Sequence, residues 1–199
     1  VPQPPQEAIL PTGSVLQHVS REVYRDDALY FGRAVQHRYD DPAGGYGVLY
    51  ATFNLATALM ESVFHKHRWW RIGAQRTITL SEVQSRMVRI VELRADLVLC
   101  DLASEGAAAR VFGLDATRLA TRRYASTRAL SATIDASTTR IGAAFDGIVY
   151  PSHNNPGARC VALLDRAQAH VVVTDDIRLD DHRDWPAFVA DYDVRVLPR

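Results

Sequence analysis

The apolar runs of this chain are many and short, and they do not alternate strictly with helices as a doubly wound parallel fold would require. "GVLYA" (47–51) reads as a strand leaving a glycine-rich turn, and "TITL" (77–80), "MVRIVEL" (87–93) and "LVLCDL" (97–102) as consecutive strands. "DGIVYPS" (146–152) and "CVALLD" (160–165) read as two strands joined by the polar turn "HNNPGA". "HVVVTDDIRL" and "DVRVLP" add two more strands, with the short helix "DWPAFVADY" between them, and residues 118–137 are helix-like. This pattern predicts an α+β fold: a mixed, mainly antiparallel sheet with flanking helices.

A chain of 199 residues is long enough to bury a real core as one domain. Four of its nine prolines are Pro2, Pro4, Pro5 and Pro11, so residues 1–13 read as an extended lead-in and 14–199 as a single domain without a second linker. The formal net charge is zero, which argues against direct nucleic-acid binding through bulk charge. Lys66 is the only lysine among 23 basic residues; the arginines that replace it offer forked donors for phosphate or carboxylate. Cys100 and Cys160 sit in apolar strands and read as buried thiols, which suits a reducing cytoplasm. No apolar stretch approaches the roughly 20 residues of a membrane span, and no signal peptide is evident.

Stock motifs are absent: there is no Walker A loop, no G-x-G-x-x-G and no G-x-S-x-G. "HKH" (65–67) offers two imidazoles, but alternating histidines do not share a helical face and no carboxylate completes a site. A solvated helix end is the better reading, and no metal is expected.

Three clusters carry polar groups that could do chemistry. In "GGYGVLYATFNLATALMESVFHKH" (44–67), Asn54 can cap a helix whose apolar face is Leu55, Ala56, Leu59, Met60, Val63 and Phe64. Glu61 projects off that face beside Thr57 and His65, so periodicity excludes it from the core and leaves surface and cleft both open. Tyr46 and Tyr50, with Arg38 and Tyr39 before them, crowd the same strand-to-helix junction. "GIVYPSHNNPG" is turn chemistry by default, although Ser152 could point its hydroxyl into a cleft at the strand's end. "VSREVYRDDALYFGRAVQHRYDD" holds Arg21, Arg25, Arg33 and Arg38 among aspartates. These are either solvated ion pairs or a set able to hold a pyrophosphate.

Taken in order, the clusters resemble the RES domain, a family named for its arginine, glutamate and serine, whose members act as toxins of bacterial toxin–antitoxin pairs. The likeness runs from about Ser14 to Leu164 through "VSREVYRDDALYFGRA", "HRYDDPAGGYGVLYATFNLATALMES" and "GAAFDGIVYPSHNNPGARCVALLD". Position by position it implies Arg21, Glu61 and Ser152 as catalytic residues, and Arg38, Tyr39, Tyr50 and Arg25 as NAD-binding ones, with Arg25 the rival of Arg21 for the family arginine. Ser126 and Ser131 are rival serines. "QHRYDD" departs from the commoner "GGRWN" form, which bears on Tyr39.

The resemblance implies a fold similar to ADP-ribosyltransferase toxins and NAD as substrate, split at the nicotinamide–ribose bond with transfer of ADP-ribose to water, phosphate or a target protein. It also implies a cognate antitoxin that blocks the cleft, in the cytoplasm. The residue types suit that chemistry: a carboxylate near the ribose stabilises the oxocarbenium ion that forms when the bond breaks. The alternative is a non-catalytic module that keeps the fold and holds a nucleotide or partner.

Overall fold

The computed structural model describes residues 4–65, 75–113 and 123–198. Its centre is an eight-stranded sheet in the order β1-β6-β7-β8-β3-β2-β5-β9. The strands are β1 (Glu7–Leu10), β2 (Val15–Arg21), β3 (Val48–Thr52), β5 (Arg86–Leu93), β6 (Leu97–Asp101), β7 (Gly147–Pro151), β8 (Arg159–Leu164) and β9 (Val171–Arg178). Every neighbouring pair in this sheet is antiparallel except β6 and β7. A separate parallel pair joins β4 (Arg76–Thr79) to β10 (Val194–Leu197). The helices are α1 (Leu55–Ser62), α2 (Leu80–Gln84), α3 (Ala107–Phe112), α4 (Ala125–Asp135) and α5 (Trp185–Asp191). The α+β expectation with a mainly antiparallel sheet holds.

The central strand β8 is buried from Cys160 to Leu164, because both of its faces are covered. On one face Cys160, Ala162 and Leu164 pack with Ile148 and Tyr150 of β7 and with Leu130 and Ile134 of α4. On the other, Val161 and Leu163 meet Leu49, Val149 and Leu99, together with Leu16, Val91 and Leu93 from the far side of the sheet. One cluster thus gathers residues from both halves of the sheet, so the sheet curls around it. A third cluster sets Leu55 and Leu59 of α1, with Phe64 just beyond its end, against Ile78, Val88, Leu179, Trp185 and Phe188.

Local chemistry explains the elements. Asn54 caps α1 by accepting from the Thr57 amide at 2.8 Å, as the sequence suggests. Gly47 must be glycine, since a Cβ there would stand 2.5 Å from the Phe31 carbonyl oxygen. Both cysteines are free and buried.

Several elements differ from the sequence reading. Glu7–Leu10, within the proline-rich lead-in, joins the sheet edge against β6. Its pairing comes from the partner strand, which local composition does not reveal. Val15–Arg21 is a full strand between β3 and β5. "TITL" lies outside the main sheet, and Leu80 already opens α2, whose cap is the Thr79 hydroxyl. Of the helix expected over 118–137, the described part is Ala125–Asp135. No helix among the described residues is long and apolar enough to cross a membrane.

Candidate functional site

Strands β2 and β3 share a single ladder position, Gln17 opposite Thr52. Beside that junction lies a cavity of about 620 Å³, within the range of small-molecule sites. Its walls are Gln17, His18 and Val19 of β2, Tyr50, Ala51 and Thr52 of β3, and Ala58, Glu61 and Ser62 of α1. Gln36, His37 and Arg38 line it from the loop before β3, joined by Tyr124, Tyr150, His153, Asn154 and Cys160.

Glu61 enters this space because it sits off the apolar face of α1. Its carboxylate accepts three hydrogen bonds from the β7–β8 loop. Ser152 Oγ donates to Oε1 at 2.6 Å, the Asn154 amide donates to Oε1 at 2.9 Å, and Asn154 Nδ2 donates to Oε2 at 3.1 Å. Ser152 follows Ile148 and Tyr150 in the alternation of β7, so its side chain falls on the face that holds the cavity. A hydroxyl has one proton, and the Asn155 amide occupies a Ser152 lone pair at 2.9 Å, leaving the Ser152 proton to Glu61. Oε2 accepts one bond where Oε1 accepts two, so Oε2 retains a lone pair for a further donor.

Tyr50 forms a second polar centre. Its hydroxyl donates to Asp40 Oδ1 at 2.9 Å and accepts from the Tyr39 amide at 2.8 Å. Asp40 Oδ2 accepts the Gln36 and His37 amides at 2.8 and 2.7 Å, so one buried carboxylate shapes the loop that presents Arg38. That loop is tight enough to hold Val35 at φ 54°, a left-handed conformation unusual for a β-branched residue. The Arg38 guanidinium carbon lies 4.9 Å from the Tyr124 ring centre. Burial first, and then the neighbouring Asp40 charge, pushes the Tyr50 phenol well above its ordinary range, so it is a neutral donor.

His18 bridges the two strands where their pairing lapses: Nδ1 lies 2.7 Å from the Tyr50 carbonyl oxygen. Since that oxygen can only accept, Nδ1 carries the proton. Burial lowers the pKa of His18, the bond to the Tyr50 carbonyl opposes this, and the charge of Arg89 adds to the lowering. Cys160 lines the cavity too, but burial pushes its thiol up to about 12, which removes it as a nucleophile.

The structure therefore brings Glu61, Tyr50 and Arg38 to one cavity, while Ser152 is buried beside it and reaches it only through its hydrogen bond to Glu61. Arg21 and Arg25 are not on its lining. Arg21 is exposed at the end of β2 and pairs with Glu82 at 3.5 Å, while Arg25 pairs with Asp176 at 3.3 Å. The Tyr39 ring, expected at the substrate, is 1% exposed and packs on Tyr150 with centroids 4.6 Å apart. Its ring lies off the cavity lining, and its backbone amide donates to the Tyr50 hydroxyl. Ser131 is buried, donates to the Tyr39 carbonyl at 2.6 Å and lies 2.7 Å from the Tyr46 hydroxyl, which is structural work; Ser126 is exposed on α4. Asn154 and His18 are the site residues that sequence reasoning missed. The "HNN" run was the visible signal for the first, whereas nothing local marks the second.

Among the described residues no group of three or more His, Cys, Asp or Glu could hold a metal ion. Of "HKH", His65 bonds the Ser62 carbonyl through Nδ1, and Lys66 and His67 lie outside the described residues.

No curated protein matches the chain. A similar solved structure is that of the M. tuberculosis MbcT–MbcA toxin–antitoxin complex, with a TM-score of 0.63 and 12% identity over 92% of this chain and 91% of that one. That likeness establishes the fold. The family model of the RES domain matches residues 15–185, a span that runs from the first residue of β2 to the start of α5 and takes in the whole cavity. The chain belongs to the RES domain family.

Proposed function

We propose that this protein binds NAD in the cavity and breaks its nicotinamide–ribose bond, passing ADP-ribose to water, phosphate or a protein acceptor. The observation that carries this reading is the Glu61 carboxylate, held by three donors, with a lone pair left over, in the same cavity as Arg38 and Tyr50. When the bond breaks, its electron pair leaves with nicotinamide, which becomes neutral, and positive charge develops on the ribose. A fixed carboxylate beside that carbon stabilises the charge without reorganising, and Oε2 is suited to accept a ribose hydroxyl. The acceptor oxygen then bonds to the ribose carbon and gives up its proton. Arg38 supplies a forked cation for the pyrophosphate, and the Tyr50 ring offers a flat apolar surface to nicotinamide or ribose. Ser152 acts through Glu61, to which its hydroxyl donates.

In the cell this activity would make the protein the toxin of a toxin–antitoxin pair, with an antitoxin that covers the cavity. Membership of the RES family and the likeness to a structure of a toxin–antitoxin complex support that assignment.

The test is incubation of the purified protein with NAD, with and without phosphate, following nicotinamide and identifying the ADP-ribose product. Release of nicotinamide is expected. ADP-ribose 1″-phosphate formed only with phosphate identifies a phosphorylase, and label carried onto a protein identifies a transferase. No nicotinamide release under any condition overturns the proposal.

A further inference from the structure

We propose that Asn155 is the positioning residue of this site, locking the loop that carries Ser152 and Asn154 at the height of Glu61. Its effect on turnover rests on the NAD reading above; its effect on the loop does not. The donors to Glu61 all come from the tip of the β7–β8 hairpin, whose base is closed by the Ser152 amide to the Ala158 carbonyl at 2.9 Å. The same loop passes through Gly157 at φ 86°, so the backbone turns sharply just beyond. A hairpin tip held to the helix at one point alone can pivot about that point, and here the loop meets α1 first through Glu61. The Asn155 side chain supplies the second point.

Asn155 Nδ2 donates to Thr57 Oγ1 at 2.9 Å, and Asn155 Oδ1 accepts from the Tyr192 hydroxyl at 3.2 Å. Thr57 is fully buried and lies one helical turn before Glu61, so the two share a face of α1. The hairpin therefore meets α1 at two successive turns, once through Glu61 and once through Thr57. Tyr192 is itself anchored, its ring stacked on Phe188 with centroids 4.6 Å apart. The Asn155 amide also fixes the direction of the Ser152 proton. Both carboxylate oxygens of Glu61 are thus held by a loop that Asn155 positions without touching them, its backbone N–H through Ser152 and its side chain through Thr57 and Tyr192. Displacement of a reacting group by about 1 Å is enough to cost on the order of a hundredfold in rate.

The experiment compares wild type, Asn155→Ala, Thr57→Val and the double variant by two readouts. The first is the kcat and KM of nicotinamide release. Asn155→Ala is expected to lower kcat about tenfold to a hundredfold with KM within about threefold. Thr57→Val should act in the same direction, and the double variant should be no worse than Asn155→Ala alone, because Asn155→Ala already removes the bond to Thr57 along with that from Tyr192. The second readout is amide hydrogen exchange at Asn154 and Asn155 in the protein without substrate, expected to speed up about tenfold or more in both single variants. Unchanged exchange in both variants overturns the inference whether or not NAD is cleaved. A wild type that turns over beside an Asn155→Ala variant with unchanged kcat also overturns it. A wild type with no turnover defeats the NAD reading alone, and the exchange result then decides this one.

Discussion

Ser152 Oγ donates to Glu61 Oε1 across 2.6 Å, tying the end of β7 to the last turn of α1 over 91 residues of sequence. The two side chains come from different layers of the fold, and each sits where its own local rule sends it. Glu61 is off the apolar face of a capped helix; Ser152 is on the inward face of a strand end. The consequence is unequal roles. Glu61→Gln keeps the volume but gives a side chain whose amide nitrogen cannot accept from Asn154 and whose group carries no charge. Nicotinamide release should fall about 10²–10³-fold in kcat with NAD affinity changed only a few fold. Titration calorimetry with NAD alongside the rate assay checks both halves.

Ser152→Ala should cost less. It removes one of three donors to Glu61 and leaves the Asn155 amide without its acceptor, while Asn154 still holds both carboxylate oxygens. About a tenfold fall in kcat is expected, and Asn154→Ala, which removes the donor to Oε2 found among the described residues, should match or exceed it. A rate for Ser152→Ala as low as that of Glu61→Gln would mean that the serine acts on the substrate directly.

What the sequence revealed and what it hid follow from range. Glu61 was visible as a helical residue off the core stripe, and Asn54 as its cap, because both follow from spacing of three or four residues. The β7–β8 hairpin was visible because its strands are apolar and its turn is polar. The junction of β2 with β3 was not, since "VLQHVSR" has mixed alternation and owes its strand to Val88 and Val91 on β5. His18 was lost with it. The family resemblance points to Arg21, but β2 ends there and its side chain turns to Glu82, off the cavity lining. Tyr39 shows the limit of pattern in another way: the family segment marks an aromatic after the arginine, and only the packing shows its ring among the core side chains, against Tyr150.

That geometry separates the arginines. Arg38→Ala should raise the KM for NAD about tenfold, because it removes the cation on the cavity wall. Arg21→Ala and Arg25→Ala should each leave kcat/KM within about twofold, as exposed ion pairs contribute only ~0–1 kcal/mol to stability and neither residue lines the cavity. Steady-state kinetics of the three variants at fixed ionic strength decide the matter, and a large loss in the Arg21 variant would move the pyrophosphate site to the end of β2.

Tyr50→Phe tests the brace beneath the site. The ring remains, but the buried Tyr39 amide loses its acceptor and Asp40 loses a donor. An unsatisfied buried group costs about 1–3 kcal/mol, which for a domain of this size lowers Tm by ~2–4 °C per kcal/mol. Because Asp40 also holds the Gln36 and His37 amides, the loop that presents Arg38 should loosen, and KM should rise severalfold. Differential scanning calorimetry and KM measured on the same preparation should move together; a KM rise with no change in Tm would mean that the hydroxyl contacts substrate.

His18 gives the fold a pH dependence of known sign. Its pKa is lowered in the folded protein from an ordinary 6.5, chiefly by burial, so the unfolded chain binds the proton more readily. The stabilising contribution is complete above about 6.5 and is lost as pH falls toward the folded value. His182 is lowered for the same first reason and adds to the same acid limb. Arg89, buried on β5 opposite His18, adds positive charge that makes protonation of His18 costlier still. In His18→Phe the titrating group is gone and the Tyr50 carbonyl has lost its donor. The variant should be less stable than wild type at pH 8 by about 1–3 kcal/mol, and the gap should narrow between pH 6.5 and 5 as wild type loses its His18 contribution. Urea unfolding at four or five pH values across that window measures the gap directly, and a constant difference at every pH would show that the imidazole does not titrate with folding.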